Sequence, residues 1–440
     1  MPFPSPQSTP IRFIGAGAAL SLILLAFLVF GRETYFGAHG GTGYILKGSS
    51  GDSRKLNAEC AGTYNRTLGS EQEWEFVVGR DGDNHGLSEK QCLAAFPKLF
   101  GDVDRMMERR KNRKLISFKE LEEAASGGED GMVRGVVKDG ELYILDFGPM
   151  PYTYTRGKAT LHSLNRALAA FPDRHTLPDI EFIFSTDDFS HGRSPVWSYS
   201  KREADEGVWL MPDFGYWSWP EVKIGSYKEI RRRIAHADQE LRFKDKKKQL
   251  AWRGSVTTNA EIRGGLLQAA RGKSWASIRE INWEELDSTS TTDLLPMEEY
   301  CHYMFLAHTE GRSFSGRGKY LLNCRSVLIS HELEWLEAHH GAFIASGPEA
   351  NYVEVARDFS DLERKIEFLI DHPETAERIA ENAARTFRDR YLTPAAESCY
   401  WRHLVRRYAD ACEFEPVLEV VRGGEKVRRG VGFESWVLGA

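Results

Sequence analysis

The chain has 440 residues, of which 41% are hydrophobic and 28% charged, with a formal net charge of −6 and a pI near 6.2. This length predicts two or three compact units, and the composition excludes both a disordered chain and a protein with many membrane spans. The acidic balance argues against a nucleic-acid-binding protein, which would normally carry a basic excess.

The amino-terminal region contains one uncharged apolar run of 18 residues, 13–30, flanked by Arg12 and Arg32. This run is long enough to cross most of a bilayer, whereas the apolar part of a cleaved secretory signal is usually roughly 7 to 15 residues long. We therefore predict a cytoplasmic tail at 1–12, a transmembrane signal anchor at 13–30 and a stem at 31–80. The stretch 37–53 is rich in Gly and Ser, a composition typical of flexible stems.

Two features indicate that the body of the protein lies in an oxidising lumen. Asn65-Arg66-Thr67 is an acceptor sequon for N-glycosylation. The six cysteines form no CxxC pair, which excludes zinc ribbons and redox motifs; they are Cys60, Cys92, Cys301, Cys324, Cys399 and Cys412. Disulfide bonds are the expected fate of these cysteines, with scattered buried thiols as the alternative.

From Leu87 onward, helical and strand patterns follow each other along the chain. The stretch 87–123 has a helical pattern, with Ser117-x-x-Glu120 as a capping box that opens a second helix. Runs 133–137 and 141–145 predict a hairpin, because Lys138-Asp139-Gly140 is a turn sequence. Further helix-like and strand-like stretches lie at 160–170, 180–185, 227–240, 249–252, 259–271, 318–324 and 326–330. This alternation predicts α/β domains built on parallel sheets.

The carboxyl-terminal third is strongly helical, and its last helix follows Pro394. That helix has an apolar face formed by Cys399, Leu404, Tyr408 and Cys412, which must pack against another part of the protein.

The apolar stretch 180–185 predicts a buried strand, and Asp187 and Asp188 follow at its carboxyl end. Open α/β sheets place ligand-binding groups at this end of their strands, so one of the two acids is a candidate catalytic base. The alternative is an ordinary turn or helix-capping acid.

A second candidate site begins with the strand 249–252, which leads into Arg253-Gly254-Ser255. Thr258-x-x-Glu261 then resembles a capping box at the start of a helix that carries Arg263. A strand, a glycine turn and a helix N-terminus together favour an anion such as a diphosphate. A plain strand-to-helix connection with exposed arginines is the alternative.

The stretch 311–319 (GRSFSGRGK) contains three glycines and three cations. Glycines let the backbone approach a ligand closely, and arginines bind phosphate oxygens with two hydrogen bonds. The spacing is not that of a P-loop, because Ser313 and Tyr320 stand where a P-loop needs Gly and Ser or Thr. A flexible solvated loop is the alternative.

Five aromatic residues crowd the stretch 209–219, namely Trp209, Phe214, Tyr216, Trp217 and Trp219. Their spacing fits neither a helix nor a strand. Such residues either stack on a sugar or base at the surface or are buried in the core, and the sequence leaves both open.

Taken together, the motifs IEFIFSTDDF, PDFGYWSWPE, AWRGS, EGRSFSGRGKYLLNC, SHELEW, RDFSDL and FRDRYLTPAAESCYW resemble glycosyltransferase family 90. This group comprises fungal capsule-associated xylosyltransferases and animal protein O-glucosyltransferases, and the likeness is strongest to its fungal members. It extends over residues 70–412 in the family's motif order.

The resemblance implies an α/β, GT-B-like fold with two Rossmann-like lobes and a cleft between them. We expect the acceptor-side lobe at 81–245, the nucleotide-sugar lobe at 246–393, and a C-terminal helix and tail at 394–440 that packs back on the first lobe. The implied mechanism is inverting and uses neither a metal nor any other cofactor.

Carried over residue by residue, the resemblance makes Asp188 the catalytic base. The expected nucleotide-sugar contacts are Arg253, Ser255, Arg263, Arg312, Ser313, Phe314, Ser315, Gly316 and Arg317. Trp217, Trp219 and Asp187 are acceptor-side candidates. The resemblance also implies a disulfide between Cys301 and Cys324 and a second between Cys399 and Cys92, which leaves Cys60 and Cys412 unassigned.

The expected function is transfer of xylose or glucose from a UDP-sugar to a hydroxyl of a glycan or glycoprotein acceptor, by a single-pass type II protein of the Golgi or ER membrane. The family's glucosyltransferases have Arg before the catalytic Asp and Pro two positions after it, whereas this chain has Asp187 and Ser190, so the acceptor stays open. An ER-retention tail is absent from the last four residues, which favours the Golgi. The alternatives are a metal-dependent transferase that uses Asp187 and Asp188, and a lumenal glycan-binding pseudoenzyme.

Overall fold

A computed structural model describes residues 74–126, 131–190, 192–281 and 294–439. The predicted anchor at 13–30, the sequon at Asn65, and Cys60 all lie outside these ranges. Among the residues described, no helix is both long and apolar enough to cross a membrane.

Twelve α-helices lie in the described ranges. They are α1 (Val78–Asp81), α2 (Glu89–Ala95), α3 (Gly101–Arg113), α4 (Phe118–Ser126), α5 (Pro151–Ala169), α6 (Tyr227–Glu240), α7 (Ala260–Ala270), α8 (Gly318–Leu321), α9 (Leu362–Asp371), α10 (Pro373–Ala383), α11 (Pro394–Asp410) and α12 (Phe433–Leu438). A π-helical stretch, Ala384–Tyr391, continues α10.

The strands of the same ranges are β1 (Met132–Lys138), β2 (Glu141–Phe147), β3 (Ile180–Ser185), β4 (Trp197–Ser198), β5 (Lys201–Arg202), β6 (Trp209–Leu210), β7 (Ser218–Trp219), β8 (Ile224–Ser226), β9 (Lys247–Gly254), β10 (Ala276–Glu280), β11 (Tyr303–His308), β12 (Val327–His331), β13 (Trp335–Leu336), β14 (Val353–Val355), β15 (Glu419–Arg422), β16 (Glu425–Arg428) and β17 (Val431–Gly432). The chain is therefore mixed α/β, as predicted.

The first sheet has six strands in the order β17-β2-β1-β3-β4-β6. Asp139 and Gly140 close the predicted hairpin with φ angles of 53° and 75°, the left-handed conformation that tight hairpin turns require. The pairs β17–β2, β2–β1 and β1–β3 are antiparallel, whereas β3–β4 and β4–β6 are parallel. The antiparallel pair β1 and β2 is the predicted hairpin, since a two-residue turn joins antiparallel strands.

The second sheet has five strands in the order β10-β9-β11-β12-β14, all parallel. Both of its faces are buried. Ala251, Leu306 and Leu328 on one face join the large core of the molecule, whereas Trp252 and Phe305 on the other face belong to a second core under α7, α9 and α10. Burial on both faces explains why these strands read as continuous apolar runs.

The C-terminal helix α11 returns to the first sheet, where it packs against α5 and α3. Tyr408 on α11 lies edge-on to Trp197 and Trp209, with 5.2 Å between ring centroids in each case. Farther along, β17 adds to the edge of the first sheet next to β2. The apolar face predicted for this helix is therefore a core element.

The start of α7 differs from the sequence prediction. Its N-cap is Asn259, whose side chain accepts a hydrogen bond from the backbone N–H of Ile262 at 3.2 Å. Thr258 instead donates its hydroxyl to the carbonyl of Ser255 and contacts Arg263. The capping box at Thr258 was wrong because an adjacent Asn is an equally good cap, one residue later.

Candidate functional site

A cavity of about 680 Å³ lies between elements of the two sheets and collects most of the residues singled out in the sequence. Its polar lining includes Arg156, Asp188, Arg253, Ser255, Thr258, Arg263, Arg312, Ser315, Gly316 and Arg317. Its apolar lining includes Phe214, Trp219, Ile230, Ile281, Leu294, Leu295, Pro296, Met297 and Phe314.

Another cavity, of about 520 Å³, lies beside α6 and is lined almost entirely by charged groups. Those charges neutralise one another: Lys228 pairs with Asp83, and Arg388 pairs with Asp238. The larger cavity is the better candidate site because three of its arginines, Arg253, Arg263 and Arg317, pair with no acid among the residues that the structure describes.

Asp188 follows the buried strand β3 and lies at the cavity wall, with its side chain 35% exposed. Its Oδ1 accepts a hydrogen bond from Arg156 Nη1 at 2.9 Å. Its backbone carbonyl accepts hydrogen bonds from the hydroxyls of Ser200 and Ser313. The carboxylate is thus held at a defined place while part of it stays open to the cavity.

Three arginines also line the cavity, carried by β9, by α7 and by the loop before α8. Arg253 donates to the carbonyl of Trp252 at 2.8 Å, and Arg263 donates to the carbonyls of Glu310 at 3.0 Å and Ser255 at 2.8 Å. Arg317 donates to the carbonyl of Arg253 and to the hydroxyl of Tyr300. Within the part of the chain that the structure describes, none of these three side chains forms an ion pair with an acid.

This arrangement concentrates positive charge in a poorly solvated place. Arg253 and Arg263 are only 7% and 9% exposed. Burial, together with the nearby charge of Arg317, lowers the pKa of Arg263 to about 10. Arg263 and Arg317 also face the ring of Trp252, at 5.9 and 5.8 Å from its centroid. An anionic group bound here would relieve the mutual repulsion of the guanidinium groups.

A buried ion pair between Lys319 and Asp213 fixes the loop from Gly311 to Lys319. Lys319 Nζ lies 2.7 Å from Asp213 Oδ1 and donates to the carbonyl of Gly316 at 2.8 Å. A Cβ atom at Gly316 would come within 3.3 Å of the Trp219 ring, so glycine permits the close approach seen there. The interpretation of this stretch as a flexible solvated loop was wrong, because its residues apart from Arg312 and Arg317 are buried.

The candidate site residues do not all line the cavity. Ser313 is buried and donates its hydroxyl to the backbone carbonyl of Asp188. Asp187 lies next to the site, and its carboxylate accepts a hydrogen bond from the backbone N–H of Asp188. Trp219 lines the cavity, but Trp217 stacks on His162 with 4.8 Å between ring centroids. Trp209 and Tyr216 are buried away from the cavity, and Phe214 is buried but forms part of its wall.

Several residues of the cavity were not predicted from the sequence. Arg156 lies on α5, and nothing in its local pattern distinguishes it from an exposed helical arginine. Tyr300 was missed as well, although its position next to Cys301 is a signal that could have identified it. The apolar stretch from Leu294 to Met297 was also missed, because a short apolar run before a strand predicts core as readily as a binding wall.

Both disulfides implied by the resemblance are confirmed. Cys301 and Cys324 are bonded with their Cα atoms 5.0 Å apart, and Cys92 and Cys399 with theirs 5.5 Å apart. The first bond holds the turn that carries Tyr300 against the segment after α8, which places Tyr300 beside Arg317. Cys412 is a free thiol, and burial raises its pKa to about 12.

One buried group of side chains, Glu337, His339 and His340, has the composition of a metal site, with its ligand atoms within 4.8 Å of one another. However, His340 Nδ1 accepts the backbone N–H of Glu337 at 3.2 Å, so a neutral ring carries its proton on Nε2 and offers no lone pair there. This group does not line the cavity.

The chain is similar in sequence to several known proteins. The chain is 27% identical over 271 residues to the O-glucosyltransferase rumi homolog of Aedes aegypti, covering 56% of this chain and 64% of that protein. It is 23% identical over 256 residues to Protein O-glucosyltransferase 1 of Homo sapiens, covering 53% and 63%. With O-glucosyltransferase rumi of Drosophila melanogaster it shares 24% identity over 266 residues, covering 54% and 62%.

These matches span a little under two thirds of the length of each relative. The sequence model of glycosyl transferase family 90 matches residues 90–428, which is most of the chain. The chain belongs to glycosyl transferase family 90.

Proposed function

We propose that this protein is an inverting glycosyltransferase that moves xylose or glucose from a UDP-sugar to a hydroxyl of a glycan or protein. The observation that carries the proposal is the cavity, in which a fixed carboxylate, Asp188, lines the same space as three arginines that have no acidic partner within the described ranges. Membership in glycosyl transferase family 90 supports the reaction class.

In this proposal the donor lies with its diphosphate against Arg253, Arg263 and Arg317. The apolar wall that includes Ile281 and Met297 offers a surface for the nucleoside. Asp188 takes the proton from the acceptor hydroxyl as the acceptor oxygen attacks the anomeric carbon. The bond to the diphosphate breaks on the opposite side of that carbon, and the guanidinium groups stabilise the departing negative charge. A single displacement inverts the anomeric centre, so an α-linked donor gives a β-linked product.

The proposed reaction uses no metal ion, because fixed cations balance the charge of the diphosphate. The ion pair between Asp188 and Arg156 supports this reading over a metal site at Asp187 and Asp188, since a guanidinium already occupies one carboxylate oxygen. Binding a divalent ion there would place two cations against the same carboxylate.

We also propose a GT-B-like arrangement, with an acceptor lobe at 81–245, a donor lobe at 246–393 and a returning segment at 394–440. The two separate sheets and the packing of α11 on α5 support this division.

The proposed location is the lumen of the secretory pathway, and the two disulfides support an oxidising compartment. The single-pass anchor at 13–30 and the glycan at Asn65 stay predictions. Retention in carbonate-washed membranes and an endoglycosidase-sensitive mass would support them, whereas a soluble mature protein starting after residue 30 would contradict the anchor.

The experiment that tests the function is incubation with a panel of UDP-sugars and simple acceptors in the presence of excess chelator. We expect release of UDP with one donor, and an NMR anomeric signal of a β-linked product. Nucleotide or glycan binding without UDP release would instead favour the pseudoenzyme, and activity that is abolished by chelator and restored by a divalent ion would favour the metal-dependent transferase.

A further inference from the structure

Arg156 lines the cavity beside Asp188, and no sequence motif pointed to it. Its side chain is 17% exposed, and its guanidinium lies between two aromatic rings, 5.4 Å from the centroid of Tyr152 and 5.0 Å from that of Phe214. These contacts leave the planar group little freedom to rotate.

Arg156 makes polar contacts with the candidate base, Asp188, and with the backbone just before it. Nη1 donates to Asp188 Oδ1 at 2.9 Å and to the carbonyl of Thr186 at 3.2 Å. Since Thr186 directly follows β3, the same nitrogen ties the carboxylate to the end of the strand that carries it. Among the described residues, no hydrogen-bond donor is directed at the other carboxylate oxygen, Oδ2.

A second carboxylate lies beside the Nε edge of the guanidinium. Glu221 Oε1 lies 3.4 Å from Arg156 Nε, and the same oxygen accepts a hydrogen bond from the hydroxyl of Thr155. Arg156 therefore forms ion pairs with two acids; among the described residues Nε makes no hydrogen bond, so the contact with Glu221 is one of charge alone.

We propose that Arg156 is the positioning residue for Asp188, which it binds through Oδ1 so that Oδ2 is presented to the acceptor hydroxyl. The inference rests on the proposed function. Arg156 makes no bond to the reacting atoms in this account. It acts by confining the base to the geometry that proton transfer requires, where a misplacement of about 1 Å can cost roughly 100-fold in rate.

The test is a double-mutant cycle on kcat, with the Kd of UDP measured for each variant. Arg156→Gln should lower kcat roughly 10- to 100-fold while the Kd of UDP stays within about twofold of wild type. In an Asp188→Asn background the same substitution should change kcat by less than about twofold, because the group it positions has lost its function. Lys158→Gln is the matched control on the same helix, since Lys158 contacts Tyr154 and Trp436 and does not line the cavity.

The outcomes separate the inference from the function on which it rests. Near-wild-type kcat for Asp188→Asn would remove Asp188 as the base and the positioning role with it, whereas failure of the wild-type protein to release UDP would contradict the proposed function. Loss in Asp188→Asn together with wild-type kcat in Arg156→Gln, or an equal loss from Arg156→Gln in both backgrounds, would overturn the positioning role alone.

Arg156→Lys keeps the charge and should fold even where the Gln variant does not. A lysine cannot contact Asp188 and Glu221 at once in the same plane, so we expect a partial loss of kcat. Wild-type kcat in a folded Arg156→Lys protein would also count against the inference, because it would mean that a nearby positive charge is sufficient.

Discussion

Arg317→Ala should weaken nucleotide binding and leave the fold intact. The side chain faces the cavity with Arg253 and Arg263, and no acid neutralises any of the three among the residues that the structure describes. A hydrogen bond to a charged group contributes about 1.5 to 3 kcal/mol, which corresponds to roughly a 10- to 150-fold increase in the Kd of UDP.

The effect on stability should be small because two changes oppose each other. The substitution removes the hydrogen bonds to the carbonyl of Arg253 and to Tyr300. It also removes a positive charge that repels Arg263 and that, second to burial, lowers the pKa of Arg263. We expect the free energy of unfolding to change by less than about 1 kcal/mol.

Isothermal titration with UDP in chelator-containing buffer measures the effect directly. Arg232→Ala is the control, because Arg232 pairs with Glu229 and lies outside the cavity. An unchanged Kd in Arg317→Ala, or the same loss in Arg232→Ala, would refute the assignment of the diphosphate to this cluster.

Two further predictions concern stability. Replacing both Cys301 and Cys324 by Ser should lower the free energy of unfolding by about 3 kcal/mol, because the bond closes a loop with a sequence separation of 23; a loss below about 1 kcal/mol in urea denaturation would contradict this. Burial lowers the pKa values of His85 and His331 to about 4, so the unfolded chain, with histidine pKa values near 6.5, takes up protons first as the pH falls. Stability should therefore decline from about pH 6.5 to about pH 4, and a flat profile in this window would contradict the burial argument.

Local signals explain which parts of the structure could be predicted from the sequence. The hairpin followed from Lys138-Asp139-Gly140, because a turn sequence leaves a mark within a few residues, and the parallel sheet followed from the alternation of helix-like and strand-like stretches. The loop Gly311–Lys319 was equally recognisable from its concentration of glycine and arginine.

Other features depend on packing between distant segments and leave no local mark. Arg156 and Asp188 are 32 residues apart in the sequence, and they meet because α5 lies beside the end of β3. Trp217 and Trp219 look alike in the sequence, yet one stacks on His162 and the other lines the cavity. The two disulfides lay between these cases, since spacing alone did not identify the pairs and the family resemblance did.

The role of Asp188 is the central claim, and the kinetics of Asp188→Asn test it most directly. The amide keeps the shape of the side chain but cannot accept the proton, so kcat for UDP release should fall roughly 100-fold or more. The Kd of UDP should stay within about twofold of wild type, because the diphosphate contacts lie on the arginine side of the cavity. Turnover close to wild type would contradict the account and remove Asp188 as the base.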